Sequence, residues 1–278
     1  FLKLANDLKL VLKPSKSDLL IAKTKFLQSK SFKTNNDFKE QTKYSQSIFI
    51  VGMPRSGSTL IESILSLNRN VTDLGEINIL EESFMEWDKG NQKKSLADLY
   101  WDKIKNKTKL SITTNKWLFN YQYVGIISSQ MPNIKIIHCY RNPLDNILSI
   151  YRAHFARGNE YSSSLVDSTK VLLSQEEIME EYKDRFRSKI YDMNYDYLVS
   201  NPDKQIRSLI NWLGWKWEDF YLSPHLNTRS ISTRSNVEAR SPIYSKSVNK
   251  WKKYKDMLYP AIEILGKTNK YKDLVAKY

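Results

Sequence analysis

The sequence predicts an α/β fold in which a central, mostly parallel sheet carries helices on both faces. Three observations predict it. Two β-branched apolar runs, Ile48-Phe49-Ile50-Val51 and Ile134 to Tyr140, read as buried strands. Each leaves through a short basic turn into a segment with apolar residues at helical spacing. Shorter β-prone stretches alternate with helical ones around them, as crossover connections between parallel strands require.

Phe1 to Val11 and Ser17 to Lys30 read as helices, and Ser31 to Ser45 as a polar linker. This divides the chain into a helical lead-in and linker over 1–45 and a main domain over 46–278. The opening Phe1-Leu2-Lys3 shows neither an initiator Met nor a signal-peptide pattern, so the chain reads as part of a longer one.

The stretch Ile48 to Leu60 is strand, loop and helix start in succession. Gly52-Met53-Pro54-Arg55-Ser56-Gly57 forms the loop, and Ser58-Thr59 open a helix carrying Leu60, Ile61, Ile64 and Leu65 to about Leu67. Such a junction aims backbone N–H groups and a helix dipole at one point, which suits a phosphate. The spacing is close to G-x-x-x-x-G-K-[ST] and so indicates a P-loop NTPase-like three-layer fold. Ser58 stands where that motif has Lys, Thr59 keeps the final hydroxyl, and the cation is Arg55 inside the loop. A loop so built can cradle one phosphate and is poorly equipped for a nucleotide triphosphate with Mg²⁺. The plainer reading is a strand-turn-helix connection with two glycines.

Val71 to Leu74 is a short strand followed by Gly75-Glu76. Strand carboxyl ends carry the ligand site in open α/β sheets, which places Glu76 near the loop; a helix-capping role fits it equally. Asn78 to Gly90 and Ser95 to Lys105 read as helices, and Leu110 to Thr114 as a strand ending at Asn115-Lys116. Lys116 is a second strand-end candidate, or a surface Lys in a Lys-rich chain. A helix over Phe119 to Met131 stops at Pro132. After the strand Ile134–Tyr140, Arg141-Asn142-Pro143 turns into a helix marked by Leu144, Ile147, Leu148 and Tyr151. Arg141 and Ser149 can face one ligand there; a carboxylate partner for Arg141 and a small-residue contact for Ser149 are the alternatives. His138 alternates along its strand and reads as structural.

Val166 to Phe186 is a long amphipathic helix, Ile190 to Asn194 a strand with Tyr195-Asp196 after it, and Asn201-Pro202 opens a helix to Trp212. Ser223 to Ser247 is rich in Ser, Arg and Asn without a sustained period, which suits a lid over a site or a disordered segment. Val248 to Leu265 reads as a helix pair split at Pro260.

Composition bounds the rest. The 278 residues are 41% hydrophobic, enough for a sizeable core, and no apolar run reaches 18 residues, so no membrane span is expected. Cys139 is the one cysteine, which excludes an intramolecular disulfide and fits a cytosolic setting. The net charge of +14 suits a small polyanion site, nucleic acid, or simply a solvated basic surface. The Lys residues are scattered rather than gathered in a stripe, so nucleic acid is not expected as a partner.

Four separated blocks, in order, resemble one family. PRSGST (Pro54 to Thr59), YRNPLDNILS (Tyr140 to Ser149), NYDYLVSNP (Asn194 to Pro202) and TRSNVEARSPIYSKSVNKW (Thr233 to Trp251) are similar to the sulfotransferases that use 3′-phosphoadenosine-5′-phosphosulfate (PAPS). The chain looks most like the bacterial tetratricopeptide-repeat-associated sulfotransferase domains related to tyrosylprotein sulfotransferases. The resemblance spans about 46 to 265, and residues 1–45 would then resemble the end of a repeat region. It implies a 5′-phosphosulfate loop at Arg55, Ser56, Gly57, Ser58 and Thr59, a 3′-phosphate site at Arg141 and Ser149, and Tyr195 on the adenosine side. It further implies Glu76 as general base, Lys116 and the lid residue Ser235 at the transferring sulfonate, and Lys250 near the cofactor phosphates. Glu238 stands where Gln is commoner, which puts the lid's detailed contacts in doubt.

Those roles agree with the chemistry. Sulfuryl transfer places an acceptor oxygen in line with sulfur and leaving oxygen, so positioning and fixed cations supply most of the help. PAP leaves without a triphosphate, so no metal is required, and a P-loop lacking its Lys makes sense. The implied partner is a hydroxyl-bearing acceptor: a protein tyrosine, a glycan or a small alcohol. A homodimer is left open. The rival readings are a P-loop kinase, which needs the Walker Lys, and a basic nucleic-acid-binding domain.

Overall fold

The computed structural model describes residues 1–31, 45–90, 94–108, 110–155, 158–227 and 240–273. Five parallel strands form one sheet in the order β2-β3-β1-β4-β5. They are β1 (Gln46–Gly52), β2 (Val71–Asp73), β3 (Ile112–Asn115), β4 (Ile134–Tyr140) and β5 (Ile190–Asn194). β1 is central, and its side chains alternate between two cores. Phe49 and Val51 pack with α-helical residues on one face, Ile48 and Ile50 on the other. All four are fully buried, each worth about 1.5–3 kcal/mol of apolar burial. This is why the run is continuously apolar rather than alternating.

Helices α1 (Leu2–Leu12) and α2 (Ser17–Ser31) precede the sheet. Asn6 Nδ2 donates to the Tyr151 carbonyl at 3.0 Å, and Gln122 Nε2 to Thr24 Oγ1 at 2.7 Å, so the lead-in helices dock on the main body. The linker expected over Ser31 to Ser45 falls almost wholly outside the described residues. Helix α3 (Ser58–Leu65) follows β1 directly, α4 (Ile79–Asp88) and α5 (Leu96–Ile104) connect β2 to β3, and α6 (Val124–Gln130) enters β4. Helix α7 (Pro143–Arg152) leaves β4, capped by Asn142, whose side chain accepts from the Leu144 and Asp145 amides. Pro143 sits at the first turn, where its missing N–H costs nothing. The 22-residue α8 (Leu165–Phe186) starts at a Ser164 cap and packs across both α2 and α7. After β5 come α9 (Tyr195–Ser200) and α10 (Pro202–Trp212).

Two expected helices differ in detail. The Phe119 to Met131 helix begins as a 3₁₀ turn over Leu118–Tyr123, and only Val124–Gln130 is α-helical. The Asn115 side chain explains the tight start: its Oδ1 accepts from the Trp117 amide and from Asn120 Nδ2. The C-terminal pair divides earlier than Pro260: a 3₁₀ turn over Lys250–Tyr254 precedes an α-helix, Lys255–Gly266, that runs through the proline. Asp256 and Pro260 are both exposed, so water can satisfy the carbonyl that the proline leaves free.

β1 sits between β3 and β4, which lie on opposite sides of it. The loops leaving the carboxyl ends of β1, β3 and β4 therefore converge at the switch point of the sheet. No helix among the described residues is long and apolar enough to cross a membrane.

Candidate active site

The loop after β1 is held in an unusual shape. Arg55 has φ 66 and Gly57 φ 95, both left-handed, a conformation that is strained for Arg55. Asn146 Nδ2, from α7, donates to the Pro54 carbonyl at 2.9 Å and pins the loop to its neighbour. Gly52 has no room for a side chain: an added Cβ would stand 2.1 Å from the Cys139 carbonyl oxygen of β4. Ser56 is buried, and its Oγ has no hydrogen-bond partner among the described residues. Ser58 and Thr59 are buried in the first turn of α3, at the positive end of its dipole.

The turn after β4 meets this loop. Arg55 Nε donates to Ser149 Oγ of α7 at 3.2 Å. Arg141 is buried, with Nη2 donating to the Ser247 carbonyl at 2.9 Å and its guanidinium 4.6 Å over the Tyr195 ring. Tyr195 in turn shares a 2.9 Å hydrogen bond with Ser247 Oγ. Arg55, Gly57, Thr59, Arg141, Ser149, Tyr195 and Lys250 all line one cavity of about 470 Å³.

Sequence reasoning passed over three carboxylates here, and two of them, Asp145 and Asp196, fix segments around this cavity. Asp145 accepts from the Asn249 amide at 2.7 Å and the Trp251 amide at 2.8 Å, so it fixes the segment that presents Lys250. Burial pushes the Asp145 carboxyl above its ordinary value, against the pull of the Trp251 amide, Arg141 and the Asn249 amide. Asp196 accepts from the Asn142 amide at 2.6 Å, locking the turn that carries Arg141. Asp145 reads in sequence as an ordinary first-turn acid of a helix, and nothing in the pattern separates it from one.

The third carboxylate, Glu62, belongs to a second cluster beside the cavity rather than in it. The β2–β3 ladder extends past both strands, with the Leu74 amide on the Thr114 carbonyl and the Lys116 amide on the Gly75 carbonyl. That pairing brings Glu76 and Lys116 side by side. Lys116 Nζ donates to Glu76 Oε1 at 2.6 Å. The Lys116 side chain is 1% exposed, whereas Glu76 is 44% exposed. Lys116 is thus a core residue, not a surface Lys, and its ammonium also lies 3.8 Å from Glu62 on α3. Glu62 does have a sequence signal: it is a lone acid among Leu60, Ile61, Ile64 and Leu65.

Ser235 and Glu238 lie outside the described residues. His138 is tied to Asp192 at 3.3 Å and to Gln175 at 2.9 Å, in keeping with a structural part. Among the described residues there is no group of three or more His, Cys, Asp or Glu that could hold a metal.

Residues 47–219 match the family described as "Sulfotransferase family". This chain belongs to the sulfotransferase family. A protein of Aquifex aeolicus, described as uncharacterized, is 33% identical over 243 residues, covering 78% of this chain and 32% of its own length. The chain thus spans about a third of the length of that relative. The fold is similar to that of the sulfotransferase domain from the Synechococcus PCC 7002 olefin synthase: TM-score 0.58, 15% identity, 82% of this chain and 98% of that one. It is similar also to a mouse sulfotransferase solved with PAP, at TM-score 0.52 and 15% identity over 91% of this chain and 93% of that one.

Proposed function

We propose that this chain transfers the sulfuryl group of PAPS to an acceptor hydroxyl and releases PAP. The observation that carries the proposal is the joining of two anion-binding turns around one cavity, with Arg55 on Ser149 at 3.2 Å and Arg141 lining the same space. Arg55, Ser56, Gly57, Ser58 and Thr59 would hold the 5′ end of the donor. Arg141 and Ser149 would hold its 3′-phosphate, Tyr195 the adenosine side and Lys250 the phosphates.

The residues fit such a donor. Ser56 Oγ and Arg141 Nε are buried with no hydrogen-bond partner among the described residues, and both belong to the turns that face the cavity. Bound PAPS supplies an activated sulfuryl group on a phosphate that departs as a stable anion. Glu76, open to solvent, takes the proton of the acceptor hydroxyl. Lys116 orients Glu76 through its 2.6 Å hydrogen bond and, with Arg55, brings fixed positive charge to the reacting end. Ser235 would add a hydroxyl contact from the lid. The scheme uses no metal, since Arg55 stands in the loop where an NTPase would pair Lys with Mg²⁺. The acceptor is a protein tyrosine, a glycan or a small alcohol.

Calorimetry with PAP and with Mg·ATP tests this reading against a P-loop kinase. PAP binding without Mg·ATP binding is expected; a folded chain that binds no PAP overturns it. Sulfate transfer from labelled PAPS to peptide, glycan and phenol acceptors then names the acceptor class.

A further inference from the structure

Lys116 is an unusual residue to find wholly enclosed. A buried ammonium survives only where carboxylates and hydrogen bonds replace its lost hydration. Two carboxylates do so here, and their surroundings differ. Glu76 is 2.6 Å from Nζ and 44% exposed. Glu62 is 3.8 Å from Nζ and 2% exposed, on the buried side of α3 one turn beyond Ser58. One counter-ion is open to solvent and the other is not.

We propose that Glu62 is a positioning residue, the permanent counter-ion that keeps Lys116 charged and in place while Glu76 takes up a proton. This rests on the reading of Glu76 as the base. In that step the acceptor O–H bond breaks, its electron pair stays on the acceptor oxygen, and the proton forms a new O–H bond on Glu76. Glu76 thereby loses its charge and ceases to be an ion partner for Lys116. Without Glu62 the ammonium would then be left in the core with no ion-paired carboxylate among the described residues, and the proton transfer would be opposed by that cost. With Glu62 present, Lys116 keeps a carboxylate beside it after Glu76 is neutralised and remains a cation facing the reacting end. Because α3 grows directly from the loop, the Glu62–Lys116 pair also ties the end of β3 to the anion cradle.

The test uses the full chain and the variants Glu62→Gln, Lys116→Met and the double variant, each checked for PAP affinity by calorimetry. Glu62→Gln is expected to bind PAP as the parent does. Its kcat should fall about tenfold or more with KM little changed, the sign of an interaction used in the chemical step. In the Lys116→Met background, Glu62→Gln should add little further loss, because it acts through that lysine. Where Gln at this position does not fold, Glu62→Asp, which keeps the charge but draws it back from the ammonium, should give the same pattern more weakly. An unmoved kcat, or losses that multiply in the double variant, would overturn the inference while leaving the donor reading intact. Failure of the parent chain to bind PAP would overturn the donor reading instead.

Discussion

Gly57 and Tyr195 are packed so closely that a Cβ on the glycine would stand 2.4 Å from Cδ2 of the tyrosine ring. The contact joins the loop after β1 to the helix after β5, across the carboxyl end of the sheet. Gly57 also has φ 95, so a side chain there is strained twice over. Gly57→Ala should destabilise the chain by about 1–3 kcal/mol from the backbone term alone. It should weaken PAP binding with it, measured by denaturant unfolding and calorimetry. Combining it with Tyr195→Ala removes the clash but not the left-handed backbone, so stability should return only in part.

Glu76→Gln separates binding from turnover. Glu76 does not line the 470 Å³ cavity, and Lys116 keeps Glu62 as a partner when the Glu76 charge is removed. PAP affinity should therefore stay near that of the parent, while kcat falls by about 10²–10⁴-fold, the usual worth of a general base. Equal loss of affinity and turnover would make Glu76 a structural residue.

The parts of this site differ in how far the sequence exposed them. The cradle after β1 was legible because an apolar strand, two glycines and a helix start lie within thirteen contiguous residues, Ile48 to Leu60. Arg141 and Ser149 were legible for the same reason, a strand running into a proline-started helix. Lys116 was a strand-end candidate, but its burial was not legible, because that comes from the β2–β3 ladder and from α3, elements distant in sequence. Asp145 and Asp196 were missed because each bonds backbone amides of other segments, Asn249 and Trp251 for one and Asn142 for the other. The Pro260 break was misjudged because an exposed helix face tolerates a missing N–H that a buried one would not.

Arg141→Ala and Ser149→Ala should both weaken PAP itself. Arg141 contributes a buried guanidinium, so its loss should cost about 1.5–3 kcal/mol in PAP binding, the range for a charged hydrogen bond. Ser149→Ala also frees Arg55 from its 3.2 Å contact, so its effect should include a looser loop. Calorimetry at two salt concentrations checks both, with the Arg141 variant showing the smaller salt dependence. A loss confined to the acceptor would move these residues away from the 3′-phosphate.

Asp145→Ala should act on the same cavity from below. Its carboxylate holds the amides on either side of Lys250, and Trp251 is buried beside it. Removing it strands the buried Trp251 N–H, at about 1–3 kcal/mol, and takes the partner from the exposed Asn249 amide. The expected result is a lower Tm together with weaker PAP binding. Lys250→Ala, by contrast, should weaken PAP with little change in Tm.

The acid limb of stability should trace to Asp192. Burial opposes its ionisation, but the hydrogen bond from His138, the Lys183 charge and Arg187 together hold its carboxyl well below the usual aspartate range. A depressed carboxyl favours the folded state above its unfolded value, about pH 4, and that contribution is lost as pH falls toward the folded value. Asp192→Asn should therefore lower Tm at pH 7, and the gap between variant and parent should close as pH drops below about 4. Asp192 does not line the cavity, so PAP affinity at pH 7 should be unchanged. A Tm gap that stays constant from pH 7 to pH 3 would assign the acid sensitivity to other carboxylates.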